Sequence, residues 1–273
     1  SYNSISDEGM QAIAGGLVNF VGLETLKLTG NGFGFDGCSY LFRTLNDHKF
    51  IKVLEMSDNR IADDGAEVLG ELMVHHLSLT ELYLDSCYIG NYGLQKLGDS
   101  LESNKTLEKL SLSKNRFDKD GVAPFMKSVN LNGKLRSLIL SYNNLGAEGV
   151  RNCGDTLLTN DSLRVLDLSY TNALSNKSGM GMHALGTALR TKNKGLQELY
   201  LLGNQLNEEV LPEFAYALHF NRGLRVCDLR ANNLDEKWFK PNHTISTKLM
   251  EDLPSVTTCM DRNIKTHDDP KLA

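Results

Sequence analysis

This sequence is short of several things at once. Its 29 lysines and arginines are outnumbered by 34 acidic residues, for a net charge of −5. It therefore has no basic excess with which to grip nucleic acid or an anionic membrane, and neither is expected as a partner. No apolar run approaches the roughly 20 residues needed to cross a bilayer, and residues 1–9 are too polar to serve as a secretory signal. Only five prolines and one tryptophan occur, and so little proline suits a chain built of regular elements. The five cysteines (Cys38, Cys87, Cys153, Cys227 and Cys259) form no C-x-x-C pair and lie too far apart for a small disulfide framework or a zinc knuckle. They are expected to be reduced, mostly buried thiols of an intracellular protein.

What the sequence does have is a repeat. The phrase L-x-x-L-x-L-x-x-N begins at Leu23, Ile51, Leu79, Leu107, Leu135, Leu163, Leu196 and Leu224, in steps of 28 with one step of 33. A fixed period over eight units marks a stack of supersecondary units, each burying its apolar side against its neighbours. In the fourth unit Leu107, Leu110 and Leu112 predict a short strand with inward leucines. Asn115 follows where the chain leaves the strand, with Asn31, Asn59, Asn143, Asn204 and Asn232 as equivalents and Cys87 and Thr171 as substitutes. A side-chain amide both donates and accepts, so it can satisfy backbone groups buried between coils. Val122, Phe125, Met126 and Val129 then follow helical spacing. Gly37, Gly65, Gly93, Gly121 and Gly149 recur near the helix starts, where a close backbone approach is expected.

Strands pack about 4.8 Å apart and helices about 10 Å. Stacking like on like therefore predicts a curved α/β solenoid, a horseshoe with parallel strands on the concave face and helices on the convex face. The 28-residue units, such as Leu-Glu-Lys-Leu-Ser-Leu-Ser-Lys-Asn-Arg-Phe-Asp-Lys-Asp-Gly from Leu107, resemble the ribonuclease-inhibitor-like subfamily of leucine-rich repeats. That subfamily includes ribonuclease inhibitor, the sensor ends of NOD-like receptors, Ran GTPase-activating proteins, tropomodulins and axonemal scaffold components. The resemblance implies the fold and a protein partner, and says little about which partner. The expected layout is one repeat domain over 1–262 with a partial first repeat over 1–22, a closing strand at about 253–259 and a loose tail over 263–273. Asn3, Ile5 and Gly9 match Asn31, Phe33 and Gly37 at a shift of 28, so the sequence is expected to open just after a missing strand.

Signs of chemistry are few. Gly32, Gly34 and Gly37 fit the spacing of a dinucleotide loop, but the repeat already explains Gly37 and no doubly wound layout surrounds it. His75 and His76 are adjacent, so they cannot share a helix face as paired ligands do, and neither His48 nor His219 has a partner at metal-ligand spacing. Asp63 and Asp64 fall at a helix start, where they favour the helix dipole. The N-x-[ST] sequons at Asn104, Asn160, Asn176 and Asn242 are read as chance in a chain rich in these residues. No catalytic constellation, cofactor or metal is expected, and the protein is not expected to be an enzyme.

A partner is expected on the strand face, where residues between the leucines point outward. Tyr142, Asp167, Tyr170, Glu198, Tyr200, Leu202, Asp228 and Arg230 form the favoured patch, since tyrosine and arginine are enriched at interface hot spots. Glu55, Asp58, Glu81, Tyr83 and Asp85 form a secondary acidic patch. The segment 172–182 holds the five extra residues of the long repeat and is a further candidate loop. The expected function is a non-catalytic interaction module or scaffold in a cytoplasmic, cytoskeletal or ciliary assembly. The alternatives are a GTPase-activating protein resembling the Ran activators, against which the near-neutral tail argues, and the ligand-sensing end of a NOD-like receptor.

Overall fold

The computed structural model describes residues 2–20, 22–46, 48–75 and 78–234. The expected closing strand and tail, together with Cys259, Asn242 and His76, lie outside these residues. The chain forms two compact units, Ser1–Asn143 and Asn144–Ala273.

The first unit runs α1 (Ser6–Leu17), β1 (Thr25–Lys27), α2 (Phe35–Leu45), β2 (Val53–Glu55), α3 (Ala62–His75), β3 (Glu81–Tyr83), α4 (Asn91–Ser103), β4 (Lys109–Ser111), α5 (Lys119–Asn132) and β5 (Ser137–Ile139). Its strands are parallel and pair in chain order, each residue facing its equivalent 28 positions on: Leu26, Leu54, Leu82, Leu110 and Leu138 form one row. The last four leucines of that row are fully buried. The second unit holds α6 (Gly146–Leu157), β6 (Val165–Asp167), α7 (Met180–Thr191), β7 (Glu198–Tyr200), α8 (Leu211–Phe220) and β8 (Val226–Asp228). There Leu166, Leu199 and Cys227 continue the same pattern in parallel register. The five-residue insertion is taken up by a 3-10 turn, Ser175–Lys177, ahead of α7. Each unit is an α/β leucine-rich-repeat solenoid, with strands on one face and helices on the other.

The asparagine after each strand does what its two-sided amide allows. Asn59 Oδ1 accepts from the amides of Asn31 and Gly32 (both 2.9 Å), and its Nδ2 donates to the carbonyls of Leu28 and Met56 at 3.0 and 2.8 Å. Asn115 bonds the amides of Cys87 and Ile89 and the carbonyls of Leu84 and Leu112 in the same way. The two substitutes manage part of this: Cys87 Sγ donates to the carbonyls of Met56 and Asp85, and Thr171 Oγ1 to that of Leu168.

A second asparagine ladder, not anticipated from the sequence, closes the helix side. Asn104, Asn132, Asn160, Asn193 and Asn221 follow the helices at the same 28-residue step, with the same single step of 33, and all are 4 % exposed or less. Asn132 Nδ2 donates to Leu101 O and Asn104 O at 2.7 and 2.9 Å, while its Oδ1 accepts from the amides of Lys134 and Leu135 at 2.8 and 2.7 Å. This corrects the reading of two sequons. Asn104 and Asn160 precede Thr106 and Ser162 because a buried Asx turn is built there, with each amide oxygen bonded to the backbone two and three residues on. His48 stands at the ladder position two repeats before Asn104; it is buried, and neither ring nitrogen has a hydrogen-bond partner.

The recurrent glycines have a definite reason. A Cβ on Gly37 would lie 2.7 Å from Asp7 Oδ1, on Gly93 2.6 Å from Asp63 Oδ1, and on Gly121 2.4 Å from Asn91 Oδ1. In each case the previous repeat reaches over to bond the next helix start: Asp7 accepts from Gly34 and Gly37, Asp63 from Gly90, and Asn91 from Asp118. Asp63 therefore caps the helix after its own as well as lying in the first turn of α3.

Candidate functional site

The backbone sets which side chains face outward. Strand positions alternate, so the residues flanking each buried leucine form outward columns. In the first unit one column runs Lys27, Glu55, Tyr83, Ser111 and Ile139, and its neighbour runs Thr25, Val53, Glu81, Lys109 and Ser137. In the second unit the matching columns run Asp167, Tyr200 and Asp228, and Val165, Glu198 and Val226.

The carboxylates of the acidic patch in the first unit are each engaged, one by a cation and the others by hydrogen bonds. Glu55 pairs with Lys27 at 2.7 Å, and this ion pair, with the hydrogen bond within it, raises the Lys27 ammonium pKa. The Tyr83 hydroxyl donates to Glu81 at 2.6 Å, and Lys109 Nζ lies 4.9 Å from the Tyr83 ring centroid. Asp85 accepts from the Ser111 hydroxyl and the Ser113 amide. Asp58 sits apart, beyond the strand, accepting from the Tyr2 hydroxyl at 2.9 Å. The two repeats that read Glu-Leu-Tyr-Leu thus build the same hydrogen-bonded pair, once among lysines and once without them.

The second unit holds that other copy. The Tyr200 hydroxyl donates to Glu198 at 2.7 Å. Burial first, then the Glu198 bond, then the charges of Glu198, Asp228 and Asp167 push its phenol up to about 12. Arg230 clamps Asp228 through Nε, at 2.9 and 3.0 Å to the two carboxylate oxygens, and through Nη2. Asp228 is only 1 % exposed, so a partner would meet the guanidinium it holds in place and not the carboxylate. Asp167 is engaged locally, accepting from the Ser169 amide. Leu202 and Tyr200 are half-buried and Tyr170 is exposed. The Tyr170 ring lies over Gly203, where any Cβ would come within 2.2 Å of Cε1. Tyr142 belongs to the first unit, where Lys114 Nζ lies 5.2 Å from its ring centroid.

Backbone conformation at these two tyrosines is set by the repeat. The residue before each ladder asparagine, or its substitute, is left-handed throughout: Gly30, Asp58, Ser86, Lys114, Tyr142, Tyr170, Gly203 and Ala231 all have φ between 54° and 68°. A bulky L-residue there costs roughly 1–2 kcal/mol, which glycine avoids. Tyr142 and Tyr170 nonetheless occupy it, 49 % and 40 % exposed. The sequence signal was available, since the position is set by the repeat register.

The decoy loop can be judged on its donors. The Gly32 amide bonds Asn59, and the Gly34 and Gly37 amides bond Asp7, so the groups that would cradle a phosphate are already in use. Among the described residues no His, Cys, Asp and Glu cluster fits a metal ion, and no helix is long and apolar enough to cross a membrane. Cys38, Cys87, Cys153 and Cys227 are free and buried. Burial pushes the thiols of Cys87 and Cys153 up to about 12.

The Leucine Rich repeat family model matches residues 1–14, 48–70, 103–126 and 131–152. The chain is built of leucine-rich repeats. Among solved structures, it is similar to "Leiomodin-1 Actin-Binding Site 2 (ABS2)", with 15% identity and a TM-score of 0.39 over 64% of this chain and 88% of that one. No curated protein matches the chain. Its repeats define a scaffold and not a partner.

Proposed function

We propose that this chain is a non-catalytic interaction module or scaffold of an intracellular assembly, and that it grips another protein through the strand face of its second unit. Tyr170, Tyr200, Leu202 and Arg230 are the contact residues. Asp167, Glu198 and Asp228 hold the polar groups in position. The observation that carries this reading is Tyr170: a large aromatic, exposed, with its ring lying over Gly203. Around it lie the other ingredients of an interface centre, namely a preorganised arginine and half-buried apolar groups rimmed by carboxylates. The free, buried thiols suit a reducing compartment. The test is quantitative affinity capture from the native cell type with wild-type chain and Tyr170→Ala/Tyr200→Ala/Leu202→Ala. A partner set lost only with the variant supports the reading. An unchanged set removes the strand face of the second unit from consideration.

A further inference from the structure

The first unit carries a second surface, independent of the one just proposed. Beside the strand ends lies an open groove of about 880 Å³. Its construction follows from the repeat. The ladder asparagines Asn31, Asn59 and Asn115 lie along it. The residues before them form one wall, Gly30, Asp58, Ser86 and Lys114, and the residues after them or after Cys87 form the other, Gly32, Arg60, Tyr88 and Arg116. At one end the Tyr2 ring, 72 % exposed, lies over Gly30, where a Cβ would meet it at 2.3 Å.

The charge of this groove runs against that of the chain. Arg60, Lys114 and Arg116 are exposed, and among the described residues none forms an ion pair with a carboxylate. The one carboxylate on the walls, Asp58, is held by the Tyr2 hydroxyl. Arg116 lies 4.4 Å from the centroid of the exposed Tyr88 ring, which holds its guanidinium in place before anything binds. Arg60, Tyr88 and Arg116 come from three successive repeats, so the backbone positions of the two arginines are about two strand spacings apart, about 10 Å. An extended segment in the polyproline II conformation returns to the same edge every three residues, after about 9 Å. Aromatic-lined grooves are a recurring way of holding such segments.

We propose that this groove docks an extended acidic peptide segment of a partner protein, with carboxylates three residues apart meeting Arg60 and Arg116 and the intervening chain lying along Tyr88. Three cations on a chain of net charge −5 suit a few carboxylates. A phosphate polymer is held instead by a long track of cations.

Selection from a random-peptide library on the full chain, followed by fluorescence anisotropy with the enriched peptides, tests this. The expected winners carry Asp or Glu three residues apart and bind more weakly as salt rises. Arg60→Glu/Arg116→Glu is expected to weaken them by about tenfold or more. Arg60→Lys/Arg116→Lys should retain most of the binding, and Tyr170→Ala/Leu202→Ala all of it. Winners lacking acidic residues would overturn the proposal, as would equal binding to the glutamate variant, or displacement of the peptides by poly-uridylate at lower concentration than by themselves. Circular dichroism checks that each variant keeps its fold; if the glutamate pair does not, Arg60→Gln/Arg116→Gln gives the same reading.

Discussion

Replacing Asn132 by alanine puts the helix-side ladder to a stringent test. The side chain is 4 % exposed and makes four hydrogen bonds, two donated to the carbonyls of Leu101 and Asn104 and two accepted from the amides of Lys134 and Leu135. Alanine removes all four partners and leaves the backbone groups where they were. A buried group stripped of its partner costs about 1–3 kcal/mol. Part of that is recovered by a water entering the space left by the amide, or by the carbonyls' remaining bonds. The expected loss is therefore about 4 kcal/mol, a large share of the stability of a typical domain. Asn132→Asp should be at least as damaging, because it keeps the acceptors for Lys134 and Leu135 but turns a carboxylate toward two carbonyls. Urea unfolding followed by far-ultraviolet circular dichroism measures both. Leu131→Ala, at a neighbouring side chain 66 % exposed, should change stability by no more than about 0.5 kcal/mol. A loss below about 1 kcal/mol for Asn132→Ala would refute the claim that the ladder holds adjacent repeats together.

Other consequences are simpler to check. Gly203 and Gly133 have φ of 61° and 66°, but a Cβ on Gly203 meets the Tyr170 ring while one on Gly133 meets nothing within 4 Å. Gly133→Ala should therefore cost about 1 kcal/mol, and Gly203→Ala more, with displacement of Tyr170 visible in its nuclear magnetic resonance signals. Tyr200, pushed up to about 12 from the ordinary tyrosine value, favours the neutral phenol in the fold. Its contribution to stability is present below about pH 10 and is lost as pH climbs from there to about 12. Tyrosinate absorbance should show a late-titrating component that Tyr200→Phe reduces. Cys87 and Cys153 should resist Ellman's reagent in the native state at neutral pH and react on unfolding, because burial raises both thiols to about 12.

The strands, the first asparagine ladder and the helix faces were legible because each rests on a local period. The leucine row Leu54, Leu82, Leu110 and Leu138 is spaced as the sequence predicts. The second ladder was equally periodic but went unread. Its asparagines sit among the loop residues following the helices, where polarity is expected and draws no notice; two of them, Asn104 and Asn160, were even mistaken for stray sequons. The pairing within the acidic patch was not legible for a different reason. Glu55 meets Lys27 from one repeat away, and Tyr83 meets Lys109 from the next. Such pairing between coils appears only once register turns sequence positions into columns. Asp228 was counted as a contact because its column faces outward, but Arg230 two residues on folds back over it. The groove beside the strands escaped notice because its cations are single residues in separate repeats.

The most direct test of the strand-face account takes the partner recovered by affinity capture, prepares it pure, and measures its affinity for single variants of the second unit by calorimetry. Tyr170→Ala, Leu202→Ala and Arg230→Ala on the strand face should each weaken binding by about tenfold or more. Tyr216→Ala, on helix α8 where the ring is 55 % exposed, should leave affinity unchanged. The reverse pattern, with Tyr216→Ala abolishing binding and the strand-face variants binding like wild type, would contradict the account and assign the partner to the helices.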